Sequence, residues 1–313
     1  MTSSRHYCPQ ADEAQNSLLD PTLLEITPTD SFSSQRGFTL AEMIIVIVIT
    51  GILGTVVAVF MTSPIKGYFD TVRRSEMTDA ADTALRRIGR DVRLALPNSV
   101  RATVPTALEF LPTTGGGRYR VGCPGNPLVF GALSDYPCAT NSSANTFDVL
   151  VGASGVSVAN GNSIAVYNLG IPGADAYSGD TLRAAAAPFG AALTTIGFAG
   201  AQFPLASPGN RFQVVQGPVS YICDTVARTL RRYSGYAMQA TQPTNPAAPP
   251  LSTAPNVGLL ADNVSACTFT YDANVIATRE GLVNLTLSIT RQNMAGNNET
   301  IQLYHTVHVS NVP

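Results

Sequence analysis

One carboxylate near the N-terminus has the type and position to do chemistry. Glu42 directly precedes a charge-free apolar run and follows Arg36, Gly37 and Phe38. A carboxylate at membrane depth costs roughly 2.5 to 3.5 kcal/mol on insertion scales, so it is a functional candidate by default. The structural alternative is a capping box, because Thr39 and Glu42 have the spacing at which both side chains satisfy free amides of a first helical turn.

The apolar run after Glu42 is the element that must position it. Met43 to Met61 contains no charged residue, and the charge-free stretch continues to Ile65. A helix of about 20 such residues crosses a bilayer. The run exceeds the roughly 7 to 15 apolar residues of a cleavable signal, and no A-x-A-like site follows it. We therefore expect one membrane crossing followed by a water-soluble C-terminal part; a plain signal anchor is the alternative on hydropathy alone.

A second helical pattern follows the apolar run. Apolar residues recur at steps of three and four, which predicts one buried stripe: Met77, Ala81, Ala84, Leu85, Ile88, Val92 and Ala95. The helix is expected to continue from the membrane, with a kink or local melting at Pro64, and to end before Pro97.

Charged residues accompany that stripe. Asp82 with Arg86, and Arg87 with Asp91, are spaced as i,i+4 ion pairs. Interleaved acids favour a solvated helix face over a patch for an anionic partner. The basic residues concerned are Arg73, Arg74, Arg86, Arg87, Arg90, Arg93 and Arg101.

Composition limits the possible functions of the 313-residue chain. Charged residues make up 13%, about half the usual share of roughly 25%, while 45% of residues are hydrophobic, which excludes a disordered polyelectrolyte. The net charge of −2 argues against broad attraction to nucleic acid.

The segment Arg36-Gly37-Phe38-Thr39-Leu40-x-Glu42 before an apolar helix resembles the class III signal of type IV pilins and type II secretion pseudopilins. The resemblance implies cleavage after Gly37 by prepilin peptidase and N-methylation of Phe38. It also implies that Glu42 faces the N-terminal amine of a neighbouring subunit. Since cleavage after Gly37 leaves Thr39 as the first possible cap, pairing and capping are compatible.

Further stretches narrow the resemblance to the O-type minor pilins of the mannose-sensitive haemagglutinin pilus. The similarity covers both ends of the mature chain and is thin between about residues 112 and 205. The stretches that carry it are Met43 to Ile49, Pro64 to Tyr68, Ala80 to Ile88, Asp91 to Arg101, Phe212 to Val215, Val219 to Asp224, Leu259 to Cys267 and Gly281 to Val283.

The resemblance also implies partners, location and domain order. The partners are prepilin peptidase, the major pilin and other minor pilins, and the inner-membrane assembly platform; no cofactor is implied. The chain would span the bacterial inner membrane once, with its C-terminal domain in the periplasm, before joining a filament. The expected divisions are a leader at 1–37, a hydrophobic helix at 38–65, an amphipathic helix at 66–97 and a β-rich domain at 98–313.

Two features depart from the family pattern. The leader is long and acidic, whereas leaders of this class are usually short. Positive charges near the span favour the opposite orientation, with Arg36 on the N-terminal side and Lys66, Arg73 and Arg74 on the other. Cysteine usage and the cleavage signal agree on the C-terminus outside, and we follow them.

Cysteine positions predict two disulfides in an exported domain, since Cys8 lies in the leader and four cysteines follow the membrane run. Three pairings are possible, and sequential pairing of Cys123 with Cys138 and of Cys223 with Cys267 is preferred. Zinc is the competing interpretation, but the spacings lack a C-x-x-C pattern.

Period-two patterns and turn residues predict an α+β protein in which an antiparallel sheet packs on the upper helix. Loops are expected at Gly115 to Gly117, Ala184 to Ala192 and Gln242 to Pro250. The predicted strands are Arg118 to Val121, Phe147 to Val151, Ser163 to Tyr167, Arg211 to Val215, Val219 to Asp224, Leu230 to Tyr233, Val264 to Tyr271, Leu282 to Ile289 and Ile301 to Val309.

Catalytic motifs are missing from the sequence, so we do not expect an enzyme. His305 is expected on the apolar face of the last strand and His308 on its polar face. The segment Asp175 to Asp180 lacks the order of a calcium loop, although it holds two acids. Two functions remain: a structural subunit that initiates or caps a filament, and a membrane-anchored binding module or tip adhesin whose ligand site lies between residues 112 and 205.

Overall fold

The computed structural model describes residues 37–136, 138, 145–150, 155–275 and 280–313. The chain divides between Val59 and Phe60 into two compact units. The expected leader lies outside the described residues, except for Gly37.

Helix α1 (Leu40–Val92) contributes to both units. In the first unit its residues are exposed and, after Glu42, uncharged and mostly apolar, and by length and composition the helix could cross a membrane. In the second unit the helix runs through Pro64 without local melting, because a single proline leaves most i to i−4 hydrogen bonds in place. Of the two expected effects of Pro64, melting does not occur and the kink stays a prediction.

The rest of the second unit is built from antiparallel strands. They are β1 (Arg101–Val104), β2 (Ala107–Phe110), β3 (Thr113–Arg118), β4 (Thr146–Asp148), β5 (Val156–Val158), β6 (Ser163–Ala165), β7 (Leu182–Ala186), β8 (Gly190–Leu193), β9 (Thr195–Phe198), β10 (Arg211–Val215), β11 (Val219–Asp224), β12 (Thr229–Ser234), β13 (Asn256–Asp262), β14 (Val264–Val275), β15 (Glu280–Gln292) and β16 (Asn298–Ser310). The predicted α+β class, a long apolar N-terminal helix with antiparallel sheets, is confirmed.

Different stretches of the sequence form different sheets. One sheet has the order β1-β2-β11-β12-β13, and another has the order β14-β15-β16. Every strand between residues 113 and 215 belongs instead to the sheet β3-β10-β6-β7-β9-β4 or to the pair β5-β8. We call residues 113–215 the insert lobe, and residues 60–111 with 216–313 the scaffold.

The scaffold core lies between the helix and two sheets. The predicted stripe of α1, from Met77 to Val92, is buried against residues of β2, β11, β14, β15 and β16. Along β15, Leu285, Leu287 and Ile289 are buried as the alternating pattern predicts. The long β-strands therefore supply a flat apolar surface on which the helix packs.

The insert lobe has a separate, aromatic core. Phe147 is fully buried, and its ring lies 5.1 Å from that of Phe212 and 6.4 Å from those of Tyr119 and Phe198. A third, smaller cluster joins lobe and scaffold through residues such as Leu96, Leu111, Ala165 and Tyr177. The sequence patterns do not predict this second core.

Several predicted boundaries are wrong. Helix α1 ends before Pro97 as predicted, but at Val92, short of the expected helix at 66–97. The residues that follow it bond to the chain between β2 and the start of β3 instead: Leu96 N donates to Leu111 O (2.7 Å) and Thr113 N to Leu94 O (2.7 Å). Similarly, β3 ends at Arg118, where the sequence predicts a strand to begin.

Two predicted loops are strands. Gly115 to Gly117 lie in β3 and pair with β10, and Ala184 to Ala192 extends from β7 into β8. Glycine and alanine have low strand propensity, but pairing with a neighbouring strand outweighs it. The third predicted loop, Gln242 to Pro250, contains no strand or helix.

Candidate processing and assembly site

A capping box begins helix α1, with both partners that the sequence predicts. Thr39 N donates to Glu42 Oε2 (2.9 Å), Thr39 Oγ1 donates to the same oxygen (3.0 Å), and Glu42 N donates to Thr39 Oγ1 (3.2 Å). Two amides at the start of the helix are thereby satisfied reciprocally. The structural interpretation of Glu42 is therefore confirmed.

Glu42 retains binding capacity beyond the cap. Both cap bonds to its carboxylate end on Oε2, and within the described part of the chain Oε1 accepts no hydrogen bond. A carboxylate can accept about four hydrogen bonds in total. The cap therefore fixes the side chain while leaving one oxygen free to meet a cation outside this chain.

Gly37 and Phe38 stand just outside the helix. Both are exposed, and the side chain of Phe38 is 83% accessible. Apart from its two chain neighbours, no described residue has an atom within 4 Å of the position that a Cβ at Gly37 would take. The backbone between these two residues is therefore unobstructed by the described residues, as a protease site requires.

Hydroxyl groups within the apolar helix are satisfied locally. Thr50 Oγ1 donates to Val46 O (2.6 Å), and Thr55 Oγ1 donates to Ile52 O (2.8 Å). This local bonding removes the need for water inside a hydrocarbon layer. The segment after Glu42 is therefore compatible with lipid despite its polar atoms.

The prokaryotic N-terminal methylation motif matches residues 32–58. The start of this chain is type IV pilin-like. The motif implies processing by prepilin peptidase, and it fits a membrane-anchored pilin together with the long apolar helix. No curated protein and no solved structure matches the chain.

The predicted cysteine partners lie at disulfide distance. Cys123 and Cys138, in the insert lobe, have Cα atoms 5.8 Å apart, and Cys223 and Cys267 have Cα atoms 6.4 Å apart. The second disulfide joins β11 to β14 and so ties the two scaffold sheets together. The pairing is sequential, the preferred one of the three possibilities.

The scaffold contains a buried carboxylate that no sequence motif predicts. Glu109 is fully buried in β2, where Arg101 Nε donates to its Oε2 (2.6 Å) and the Tyr236 hydroxyl donates to its Oε1 (2.9 Å). Burial raises the pKa of Glu109, and the hydrogen bond and charge of Arg101 oppose that rise. The available signal was a single acid inside the apolar segment Ala107-Leu108-Glu109-Phe110.

Arg101 joins this carboxylate to the insert lobe. Its guanidinium carbon lies 3.6 Å from the ring centroid of Tyr177, and its terminal nitrogens donate to Gln239 O (2.8 Å) and Ala240 O (2.7 Å). Such a cation over an aromatic face is favourable. Assigning Arg101 to a solvated helix face is therefore wrong, because it lies in β1 with its charge largely enclosed.

The two ion pairs predicted along the helix have different outcomes. Arg86 pairs with Asp82 (2.6 Å) as predicted. The predicted Arg87–Asp91 pair is wrong, since Asp91 Oδ2 instead accepts from the Tyr221 hydroxyl (2.5 Å) and from Arg232 Nε (3.0 Å). Strands β11 and β12 thus present better-placed donors to Asp91 than its own helix does.

The two histidines of β16 lie on the predicted faces. His305 is partly buried against the helix, where its Nε2 would lie 2.9 Å from a Cβ at Gly89. His308 is exposed, with Nδ1 3.2 Å from Glu280 Oε2. Neither arrangement contains a nucleophile, and both histidines have packing or surface roles in the described structure.

The side chains of Asp175 and Asp180 accept hydrogen bonds from within the turn that contains them. Asp175 Oδ1 accepts from Tyr177 N (3.1 Å), its Oδ2 accepts from Ser178 Oγ (3.2 Å), and Asp180 Oδ2 accepts from Asp175 N (3.2 Å). These are the local bonds by which aspartates stabilise turns. Among the described residues no group of three or more His, Cys, Asp or Glu is placed to hold a metal ion.

Proposed function

We propose that this protein is a minor pilin or pseudopilin, a structural subunit that helps to initiate or cap a type IV pilus or a type II secretion pseudopilus. The observation that carries the proposal is the methylation motif at residues 32–58, with Glu42 at the start of the helix and one of its carboxylate oxygens unused by the described residues. The finer assignment to the mannose-sensitive haemagglutinin type rests on sequence resemblance alone.

The proposed mechanism uses Glu42 twice. Within the subunit it caps α1 through Thr39. Between subunits its charge attracts the N-terminal amine of a neighbouring Phe38, an attraction of about 4 kcal/mol at 4 Å and an effective dielectric of 20. That gain offsets the cost of placing a carboxylate beside hydrocarbon. The assembled filament, rather than the single subunit in lipid, is then the low-energy state.

The remaining assignments belong to the same proposal. The partners are prepilin peptidase, other pilins and the inner-membrane assembly platform, and the C-terminal domain faces the periplasm until the subunit enters a filament. We propose a structural role without catalysis and without a cofactor.

The mature N-terminus provides the first test. Mass spectrometry of the membrane-bound protein is expected to find a chain that begins at N-methylated Phe38. A Gly37→Val variant should retain residues 1–37, because a bulky side chain at the scissile position obstructs cleavage. Wild-type protein that keeps its leader, or begins elsewhere, would refute the proposal.

The two roles of Glu42 can be separated by substitution. Glu42→Gln keeps a side chain that can complete a capping box but removes the charge. We expect normal cleavage and at least a tenfold loss of incorporation into filaments, measured by immunoblotting of sheared pili. Thr39→Ala is the matched control, since it removes the capping hydroxyl and keeps the charge, and it should be incorporated at near wild-type level. If the glutamine variant assembles normally, charge pairing is not the driving force.

A further inference from the structure

Two arginines of the insert lobe lie opposite each other on neighbouring strands. Arg118 in β3 and Arg211 in β10 are register partners. Directly opposed residues in an antiparallel pair have Cβ atoms about 4.5 to 5.5 Å apart, and like charges at such positions destabilise the sheet. Both side chains are exposed.

Neither arginine has an acidic partner within 4 Å in the described part of the chain. The acid of the nearby strand β4, Asp148, is already engaged: its Oδ2 accepts from Asn126 N (2.8 Å) and lies 3.7 Å from Arg120 Nε, and its Oδ1 accepts from Thr195 Oγ1 (3.1 Å). Outside the described residues, the segments 137, 139–144, 151–154 and 276–279 contain no Asp or Glu in sequence, and the acids of residues 1–36 belong to the leader that the proposed cleavage removes. The positive charge of the pair is therefore left for a ligand.

The surface around the pair is bare and open. Arg118, Arg211, Gln213 and the three glycines of β3 line a shallow concavity of about 540 Å³. A Cβ at Gly116 would lie 2.5 Å from Phe212 O, so a side chain there would displace the backbone of β10. The tight approach of the two strands thus keeps the floor beside the arginines free of side chains.

We propose that this concavity binds an acidic polysaccharide through the guanidinium groups of Arg118 and Arg211. Guanidinium groups bind carboxylate and sulfate groups through paired hydrogen bonds. The side-chain amide of Gln213, half-buried on the same face, supplies a donor and an acceptor for sugar hydroxyls.

Other polyanions fit this surface less well. The residues lining the concavity offer one ring, Phe212, and it is buried, so no exposed aromatic side chain is present on which nucleobases could stack. Leu150 is the one exposed aliphatic side chain at the rim, too little for insertion into a lipid layer. The open shape, the floor without side chains and the two exposed arginines match a hydrated polymer that carries regularly spaced acids.

Residues that lower the stability of the fold and make no compensating stabilising contact indicate a functional site. The cross-strand pair of arginines meets both conditions in the described part of the chain. This proposal is independent of filament assembly, since it concerns a surface of the insert lobe alone, and it would hold for an anchored protein as well as for a filament subunit.

The test uses the full-length chain in detergent micelles and the double variant Arg118→Gln/Arg211→Gln. Binding is measured by biolayer interferometry to immobilised heparin (sulfated), polygalacturonate (carboxylated) and dextran (neutral). We expect the wild type to bind one or both acidic polymers and not dextran, with affinity that falls as salt rises. The double variant should lose at least tenfold in affinity.

The matched control removes the same charge elsewhere. Arg93→Gln/Arg231→Gln replaces two exposed arginines of the scaffold and should keep affinity within twofold of wild type. Thermal unfolding provides a second readout: the Arg118→Gln/Arg211→Gln variant should melt no lower than wild type, because a repulsive pair has been removed.

Three results would overturn the proposal. The first is a wild type that binds neither acidic polymer. The second is equal loss in the control variant, which would indicate a general charge effect. The third is binding through these arginines to oligonucleotides or to vesicles with 30% phosphatidylglycerol but to neither polysaccharide, which would assign the surface to another class of ligand.

Discussion

The scaffold and the insert lobe each bury a hydrophobic core, but they differ in strand length and in the type of side chain that fills the core. The scaffold buries aliphatic side chains of α1 against long strands, of which β15 and β16 each have 13 residues. The lobe strands have between 3 and 6 residues, and they enclose a cluster of aromatic rings.

The difference follows from what covers each sheet. A helix offers a long, regular surface, so strands that face it gain from length and from alternating aliphatic residues. The described residues of the insert lobe include no α-helix. Short strands contribute few ladder hydrogen bonds, and large rings bury more apolar area per residue than aliphatic chains do. The lobe therefore depends on aromatic packing and on its own disulfide.

The largest expected effect tests whether the two cores are independent. Phe147→Ala removes the ring at the centre of the lobe cluster and should cost about 3 to 5 kcal/mol, whereas Leu285→Ala in the scaffold should cost about 2 to 5 kcal/mol. In hydrogen-exchange mass spectrometry, Phe147→Ala should accelerate exchange in peptides of residues 113–215 and leave β14 to β16 protected. Leu285→Ala should do the reverse. Loss of protection in both regions in either variant would mean one cooperative core.

The two disulfides provide a second comparison of the stability of the scaffold with that of the insert lobe. Removal of the Cys223–Cys267 bond, at a sequence separation of 44, should cost ~4 kcal/mol in the chain-entropy model. Removal of the Cys123–Cys138 bond, at a separation of 15, should cost ~3 kcal/mol. Urea unfolding of the two double-serine variants measures both values. We expect the first variant to weaken the scaffold and the second to weaken only the lobe, and a larger loss in the second variant would contradict the ranking.

The smallest expected effect is a pH dependence at the contact between the two regions. Burial raises the pKa of Glu109 above its ordinary value of 4.5. The folded state then binds a proton more tightly than the unfolded state, so this residue favours folding increasingly as pH falls from the raised folded pKa towards 4.5. Each unit of pKa difference corresponds to about 1.4 kcal/mol.

The variant Glu109→Gln removes that titration. Urea unfolding at a series of pH values just above 4.5 should show wild type gaining stability relative to the variant as pH is lowered. Parallel stability curves for the two proteins would show that Glu109 has the same pKa in both states, and that Arg101 compensates fully for burial.

Much of the scaffold could be predicted because its local patterns agree with its tertiary contacts. The predicted strand Val219 to Asp224 has the boundaries of β11. The stripe of α1 and the alternation of β15 also follow from periodicity. In these segments burial on one face dictates residue type every second, third or fourth position, and the sequence records it.

The lobe was harder to predict because its strands are short and three of them, β3, β7 and β8, are rich in glycine or alanine. A tract of three glycines, Gly115 to Gly117, indicates a loop in isolation and becomes a strand only because β10 supplies the hydrogen-bonding partners. Likewise, Asp91 has a suitable partner in its own helix, but Tyr221 and Arg232 bind it from the sheet.

By itself the sequence determined the elements whose causes are local: the apolar helix, its cap at Thr39 and Glu42, the cleavage motif, and the period-two strands. Tertiary structure alone decided the division into two cores, the burial of Glu109 beneath Arg101, and the meeting of Arg118 with Arg211. The physical reason is the distance along the chain over which each interaction acts. Capping and periodic burial act within a few residues, whereas register between distant strands decides which charges become neighbours.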